Sequence, residues 1–214
     1  MFSTDFKTRN IFLVFLFISG FQAWISSYTL MSDQLLFDLY GDQIAYKRIV
    51  EIIEQQKKWE WLGYVLLPII YLIKFLLISS VLLMGLFLAD IKVQFGKVFR
   101  LVVEAEYIFF IPLIIKWVWF AFIMRDYSMM DLTSFSPLSL SSLIDISESS
   151  PWLTPLFMSI NLFEVAYWVL LAYGLNRLLE SNFRKSMGLV AASYGSGWVV
   201  WQVLIIFLTI NFSS

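Results

Sequence analysis

The chain has 214 residues, of which 60% are hydrophobic, 19% aromatic and only 14% charged, and its mean hydropathy is +0.78. An ordinary soluble domain is about half apolar and about a quarter charged, so this chain lacks the polar groups to cover a wet surface, and lipid is the expected solvent. A net charge of −1 excludes the basic bias that nucleic acid needs, and the absence of Cys and His removes disulfides, thiolate nucleophiles, the usual zinc and iron–sulfur sites and the commonest proton carrier.

A bilayer core about 30 Å thick takes roughly 20 apolar residues in helical form. Five stretches qualify, at about 10–30, 61–89, 101–124, 153–175 and 188–210. The expectation is an all-α polytopic bundle, a single integral membrane domain over 1–214 with about five transmembrane helices. The first stretch follows Lys7 and Arg9 without an A-x-A-like cleavage site, which marks an uncleaved signal-anchor helix. Residues 42–60 mix Ile44, Ile49, Val50, Ile52 and Ile53 with charges at near-helical spacing, the pattern of an amphipathic surface helix. The second stretch is interrupted only by Pro68 and Lys74, and the third contains Pro112; both prolines can kink their helices.

Residues 126–152 are Ser-rich and acidic, with the apolar run PLSLSSLI inside. Ser136 before Pro137, and Ser150 before Pro151, look like N-caps followed by proline at the first helical position, so a short surface or re-entrant helix is expected there. In the fifth stretch, Ala192/Ser196 and Ser193/Gly197 are small-xxx-small pairs that allow close helix approach; the sharper alternative is an unwound substrate-binding segment. Trp59, Trp61, Trp117, Trp119 and Trp152 fall near the predicted outer ends, where amphipathic rings anchor a bundle.

Orientation follows from Lys and Arg counts. Lys7, Arg9, Lys92, Lys97, Arg100, Arg177, Arg184 and Lys185 make eight on one side, against five (Lys47, Arg48, Lys57, Lys58 and Arg125) on the other. A cytoplasmic N-terminus is therefore expected.

A charge in hydrocarbon costs about 2.5–3.5 kcal/mol on insertion scales, so each one needs a reason. Glu104 follows Arg100 by four residues and can pair with it on one helix face at the rim. Lys74, Glu106, Lys116 and Glu164, with Asn161 one turn from Glu164, form the candidate intramembrane polar cluster. By rise per residue, Glu164 is expected about 15 Å from the outer end of its helix and Lys116 about 12 Å from that side. An ion pair between Lys116 and Glu164 is the expectation, with Lys74 the competing cation. Such charges either fix helix register as a buried contact or line a path for a proton or small ion.

No H-E-x-x-H, G-x-S-x-G or P-loop occurs, and every Asp lies outside the spans, so no catalytic residue is assigned and no cofactor or metal is expected. Residues 96–212 resemble the bacterial branch of the Yip1-like family of multi-span membrane proteins. The likeness lies in FGKVFRLVVEAEYIFFIPLII, then SPLSLSSLI ahead of PWLTPLFMSINLFEVAYWVLLAYGLNRLL, then SNFRKSMGLVAASYGSGWVVWQVLIIF, with NLFEVAYWVLLAYGLNRLLESNFRKS the most distinctive piece. The resemblance implies a five-helix bundle without enzymatic activity, multi-pass in the bacterial inner membrane, and it transfers no functional residue. Three functions are then open. The first is a non-catalytic protein acting through membrane lipid or other membrane proteins. The second is a small transporter or permease subunit, and the third an enzyme on lipid drawing on Glu106 or Glu164.

Overall fold

Among the described residues, four helices are long and apolar enough to cross a membrane: Lys7–Leu30, Tyr46–Leu88, Leu162–Leu179 and Phe183–Asn211. The computed structural model describes residues 2–41, 44–143 and 153–212, and among these every regular element is helical. Large apolar side chains along the long helices, among them Phe17, Phe21, Ile70, Val200 and Phe207, lie exposed. Only a lipid solvent makes such exposure inexpensive, and the chain is a helical membrane protein.

In chain order, α1 is Phe2–Leu30, α2 Asp33–Tyr40 and α3 Tyr46–Leu88. They are followed by α4 (Phe95–Glu106), α5 (Phe110–Val118) and α6 (Met129–Ser134). The last are α7 (Thr154–Ser159), α8 (Leu162–Leu179), α9 (Phe183–Val190) and α10 (Ser196–Phe212). Three differences from the sequence expectation stand out.

The amphipathic 42–60 segment is not separate from the second span, because α3 is one uninterrupted helix of 43 residues with Pro68 inside it. Its described apolar residues Ile49 and Ile53 are buried in protein while Arg48 and Glu51 pair at the surface. The third stretch is broken. A 3-10 turn at Tyr107–Phe109 separates α4 from α5, and a π turn at Trp119–Ile123 ends it. Pro112 supplies a reason: it has no N–H to donate, and its ring crowds the carbonyl four residues back, at Ile108.

The fourth stretch also breaks. α7 ends at Ser159, and α8 begins only after Asn161, which caps it. The short loop before it is docked on this break. Leu140 N–H donates to Ile160 O at 2.8 Å, and Leu162 N–H donates to Leu138 O at 3.0 Å. Ser139 is buried between them, its hydroxyl donating to Ser136 O at 2.7 Å. Pro137 therefore starts no α-helix; the run forms a turn and a 3-10 segment at Leu140–Ser142. The Ser150–Pro151 cap and the Trp152 anchor lie outside the described residues.

By internal contact the chain divides into two compact units. One comprises Met1–Leu13, Ile73–Phe109 and Ser136–Ser214; the other comprises Val14–Leu72 and Phe110–Phe135. In the second, Leu30, Phe120 and Leu132 form a core covered by Trp117, Tyr127 and Phe135. Tyr127 donates its hydroxyl to Leu30 O at 2.9 Å, which satisfies a carbonyl that the end of α1 leaves open. Trp117 Nε1 donates to Thr29 Oγ1 at 2.8 Å, which ties that ring into the unit, and Trp119, though exposed, stacks on Phe135. Trp59 and Trp61 remain exposed.

Candidate intramembrane polar site

The first unit gathers Lys74 from α3, Glu106 from the end of α4, and Asn161, Glu164, Tyr167 and Trp168 from α8. Tyr194 joins them from a π turn at Ala191–Gly195, between α9 and α10. Four of the five residues expected in the polar cluster thus belong to one unit. The fifth, Lys116, is on α5 in the other.

Glu106 is 2% exposed, and its Oε1 accepts a hydrogen bond from Lys74 Nζ in a close ion pair. The same ammonium stands 5.1 Å from the centre of the Phe109 ring, within cation–π range. The other oxygen, Oε2, is buried without a hydrogen-bond partner. The Tyr167 hydroxyl faces Glu106 but stops short of bonding geometry and is itself unpartnered.

Glu164 sits in the first turn of α8, where the partial positive charge of a helix N-terminus favours a carboxylate. Asn161 Oδ1 accepts from the Glu164 backbone N–H at 2.8 Å and so defines that turn. The Glu164 side chain is held at Oε1 by Trp168 Nε1 at 2.9 Å and by Tyr194 OH at 2.8 Å. Tyr194 meets Tyr167 and Trp168 edge-on, with ring centres 5.3 and 5.7 Å away. This brings Tyr167 and its aromatic neighbours between the Glu106 and Glu164 carboxylates.

Two of the expectations need correction. Among the described residues of the first unit Glu164 forms no salt bridge, and the ion pair there is that of Lys74 with Glu106. Nor is Glu164 about 15 Å along its helix, since that helix begins at Leu162. Tyr167, Trp168 and Tyr194 were not anticipated. Trp168 carried a usable signal, four residues on from Glu164 and thus on its face; Tyr194 carried none.

The small residues of the last span pack as close contacts. A Cβ on Gly85 of α3 would lie 2.4 Å from Ser193 Cβ, and one on Gly195 would lie 2.7 Å from the Trp168 ring. Backbone therefore approaches backbone at the π turn, and this close approach supports the Glu164–Tyr194 bond.

Two cavities stand apart from these charges. One, of about 560 Å³, belongs to the first unit and is lined by Lys97, Arg100, Glu104 and Arg177 among others. The second, of about 760 Å³, belongs to the other unit and is lined by Trp24, Tyr28, Lys57, Trp59 and Glu60 among others. None of Lys74, Glu106, Lys116, Asn161 or Glu164 lines either one. Among the described residues, no three Asp or Glu side chains stand together as metal ligands. Comparisons with family models, with curated proteins and with solved structures return no match.

Proposed function

We propose that this chain is a non-catalytic integral membrane protein, resembling the Yip1-like family, that acts through lipid or protein partners in a bacterial inner membrane. It crosses that membrane about five times with its N-terminus inside, the broken α4–α5 segment supplying the span beyond the four long helices. The eight-to-five excess of Lys and Arg supports that orientation.

One observation carries the reading: the two buried intramembrane carboxylates, Glu106 and Glu164, close on partners within the protein. Glu106 meets Lys74, and Glu164 meets Trp168 and Tyr194, while the two cavities described above are lined by other residues. A conducting path would set such groups along water; a register-fixing contact seals them.

The test is solvent access. A single Cys placed by Glu164→Cys, and separately by Ser193→Cys beside Tyr194, is exposed to a small charged thiol reagent from each side of the membrane. Met130→Cys, at an exposed loop position, is the control. Labelling of the control alone is expected. Fast labelling at 164 and 193 would overturn the reading in favour of a small transporter or permease subunit, which draws on one observation, the unpartnered Glu106 Oε2 and Tyr167 hydroxyl.

A further inference from the structure

The cavity of the first unit differs in character from the rest of the molecule. Lys97, Arg100 and Arg177, with one carboxylate, Glu104, line a space of about 560 Å³. Three cations against one anion leave an excess of two positive charges. These residues come from the start of α4 and the last turn of α8, so the cationic wall stands where two helices end.

The two guanidinium groups are placed rather than loose. Arg100 Nε donates to Glu104 Oε1 at 2.7 Å, which fixes the plane of the guanidinium and leaves its two terminal nitrogens to donate elsewhere. Arg177 is held over the Tyr173 ring, its guanidinium carbon 5.9 Å from the ring centre. A planar fork of this kind matches the oxygens of a phosphate in two-point contact. The rest of the lining is mixed: Leu101, Ala105, Leu170 and Leu178 are apolar, while Thr8, Gln94 and Tyr173 add polar groups. The cleft thus offers cations to an anion and leucine side chains to hydrocarbon.

We infer that this cleft binds the phosphate group of an anionic amphiphile, with Arg100, Arg177 and Lys97 on the phosphate and the leucine wall on the attached hydrocarbon. The inference rests on the chain acting through lipid in the membrane, and it names the lipid class. It assigns the ligand to the leaflet that the basic connections face, where Lys92, Arg184 and Lys185 also stand. Basic pockets between helices at that surface are a recurrent home for acidic headgroups, and each nearby Lys or Arg adds about 1 kcal/mol of attraction.

The full chain, purified in decyl maltoside, is titrated calorimetrically with three probes: dihexanoyl-phosphatidylglycerol, dihexanoyl-phosphatidylcholine and sodium phosphate. Saturable binding of the phosphatidylglycerol at least about tenfold tighter than the phosphatidylcholine is expected, weakening as sodium chloride rises. Arg100→Gln and Arg177→Gln should each weaken it about tenfold, and Arg125→Gln, in the loop ahead of α6 and outside the cleft, should not. Lys97→Gln, at an exposed position, provides a variant that leaves helix packing alone and should weaken binding by a smaller factor. Phosphate binding as tightly as phosphatidylglycerol, with the same sensitivity to Arg177→Gln, would keep the anion site and assign it to a soluble phosphate compound. Equal binding of the two lipids, or phosphatidylglycerol binding unchanged in all three cleft variants, would overturn the inference. Failure of the lipid-embedded scaffold reading registers instead as labelling at positions 164 and 193, so the two failures are distinct.

Discussion

Asn161 Oδ1 accepts the backbone N–H of Glu164 at 2.8 Å, and this bond puts the carboxylate in the first turn of a helix rather than in the middle of one. The Asn161 amide nitrogen donates back to Met158 O at 3.1 Å and Ser159 O at 3.3 Å, so one side chain closes α7 and opens α8. Asn161→Ala should destabilise the protein by about 1 kcal/mol in sodium dodecyl sulfate unfolding, from loss of the cap. Asn161→Ser, which can still accept from the first turn, should recover most of that. Equal losses in the two variants would mean that the cap is not what Asn161 contributes.

The Lys74–Glu106 pair is lopsided: the Lys74 side chain is 44% exposed and that of Glu106 only 2%. Removing the cation strands a buried carboxylate, a change that costs about 3–5 kcal/mol in comparable pairs. Removing the carboxylate strands a lysine that can snorkel away from the core. Lys74→Met should therefore destabilise more than Glu106→Gln, and the double variant should lose less stability than the sum of the two single losses. Additive losses across the cycle would show that the pair is not coupled.

How far the fold is legible beforehand depends on which interaction decides each element. The long helices are decided by the length of an apolar run, so α1, α3 and the α9–α10 region follow from composition. Lys74, Glu106 and Glu164 announce themselves because a charge in hydrocarbon is costly whatever surrounds it. Their partners do not. Pairing Lys116 with Glu164 assumes that consecutive helices run unbroken side by side, and both helices break, one ahead of Pro112 and one at Asn161. The second break had a signal: Asn161 with Glu164 three residues on has the polar spacing of a helix start, but it is embedded in apolar residues that suit a span equally well. The Tyr194 contact rests on close backbone approach at a π turn, which no local pattern announces.

That close approach is open to a paired glycine test. A Cβ on Gly85 would fall 2.4 Å from Ser193 Cβ, whereas one on Gly20 of α1 would meet nothing within 4 Å. Gly85→Ala should cost about 1–3 kcal/mol by overpacking two helical backbones, and Gly20→Ala should be neutral or stabilising by up to about 1 kcal/mol. Adding Ser193→Gly to Gly85→Ala should restore part of the loss. If both glycines respond alike, the effect is one of helix propensity and not of contact.

Ser128 and Asp131 cap α6 reciprocally in the loop outside the spans, and the cap makes this loop sensitive to acid. Asp131 Oδ2 accepts from the Ser128 backbone N–H at 2.9 Å and from its hydroxyl at 2.7 Å, while Ser128 Oγ accepts from the Asp131 N–H at 3.1 Å. The backbone bond first, and the hydroxyl second, hold the Asp131 carboxyl below its ordinary value. A carboxyl lowered in the folded state contributes stability that is present above its unfolded value and lost as pH falls through the folded one. Acidification should therefore loosen α6, and Asp131→Asn should remove that share of the acid response. A carbon-13 carboxylate titration should place the Asp131 midpoint below that of a short unfolded peptide of the same loop. Ser128→Ala should move the midpoint part of the way back, because the backbone donor remains. A midpoint at or above that of the peptide would mean that the capping box does not form in the membrane-bound protein.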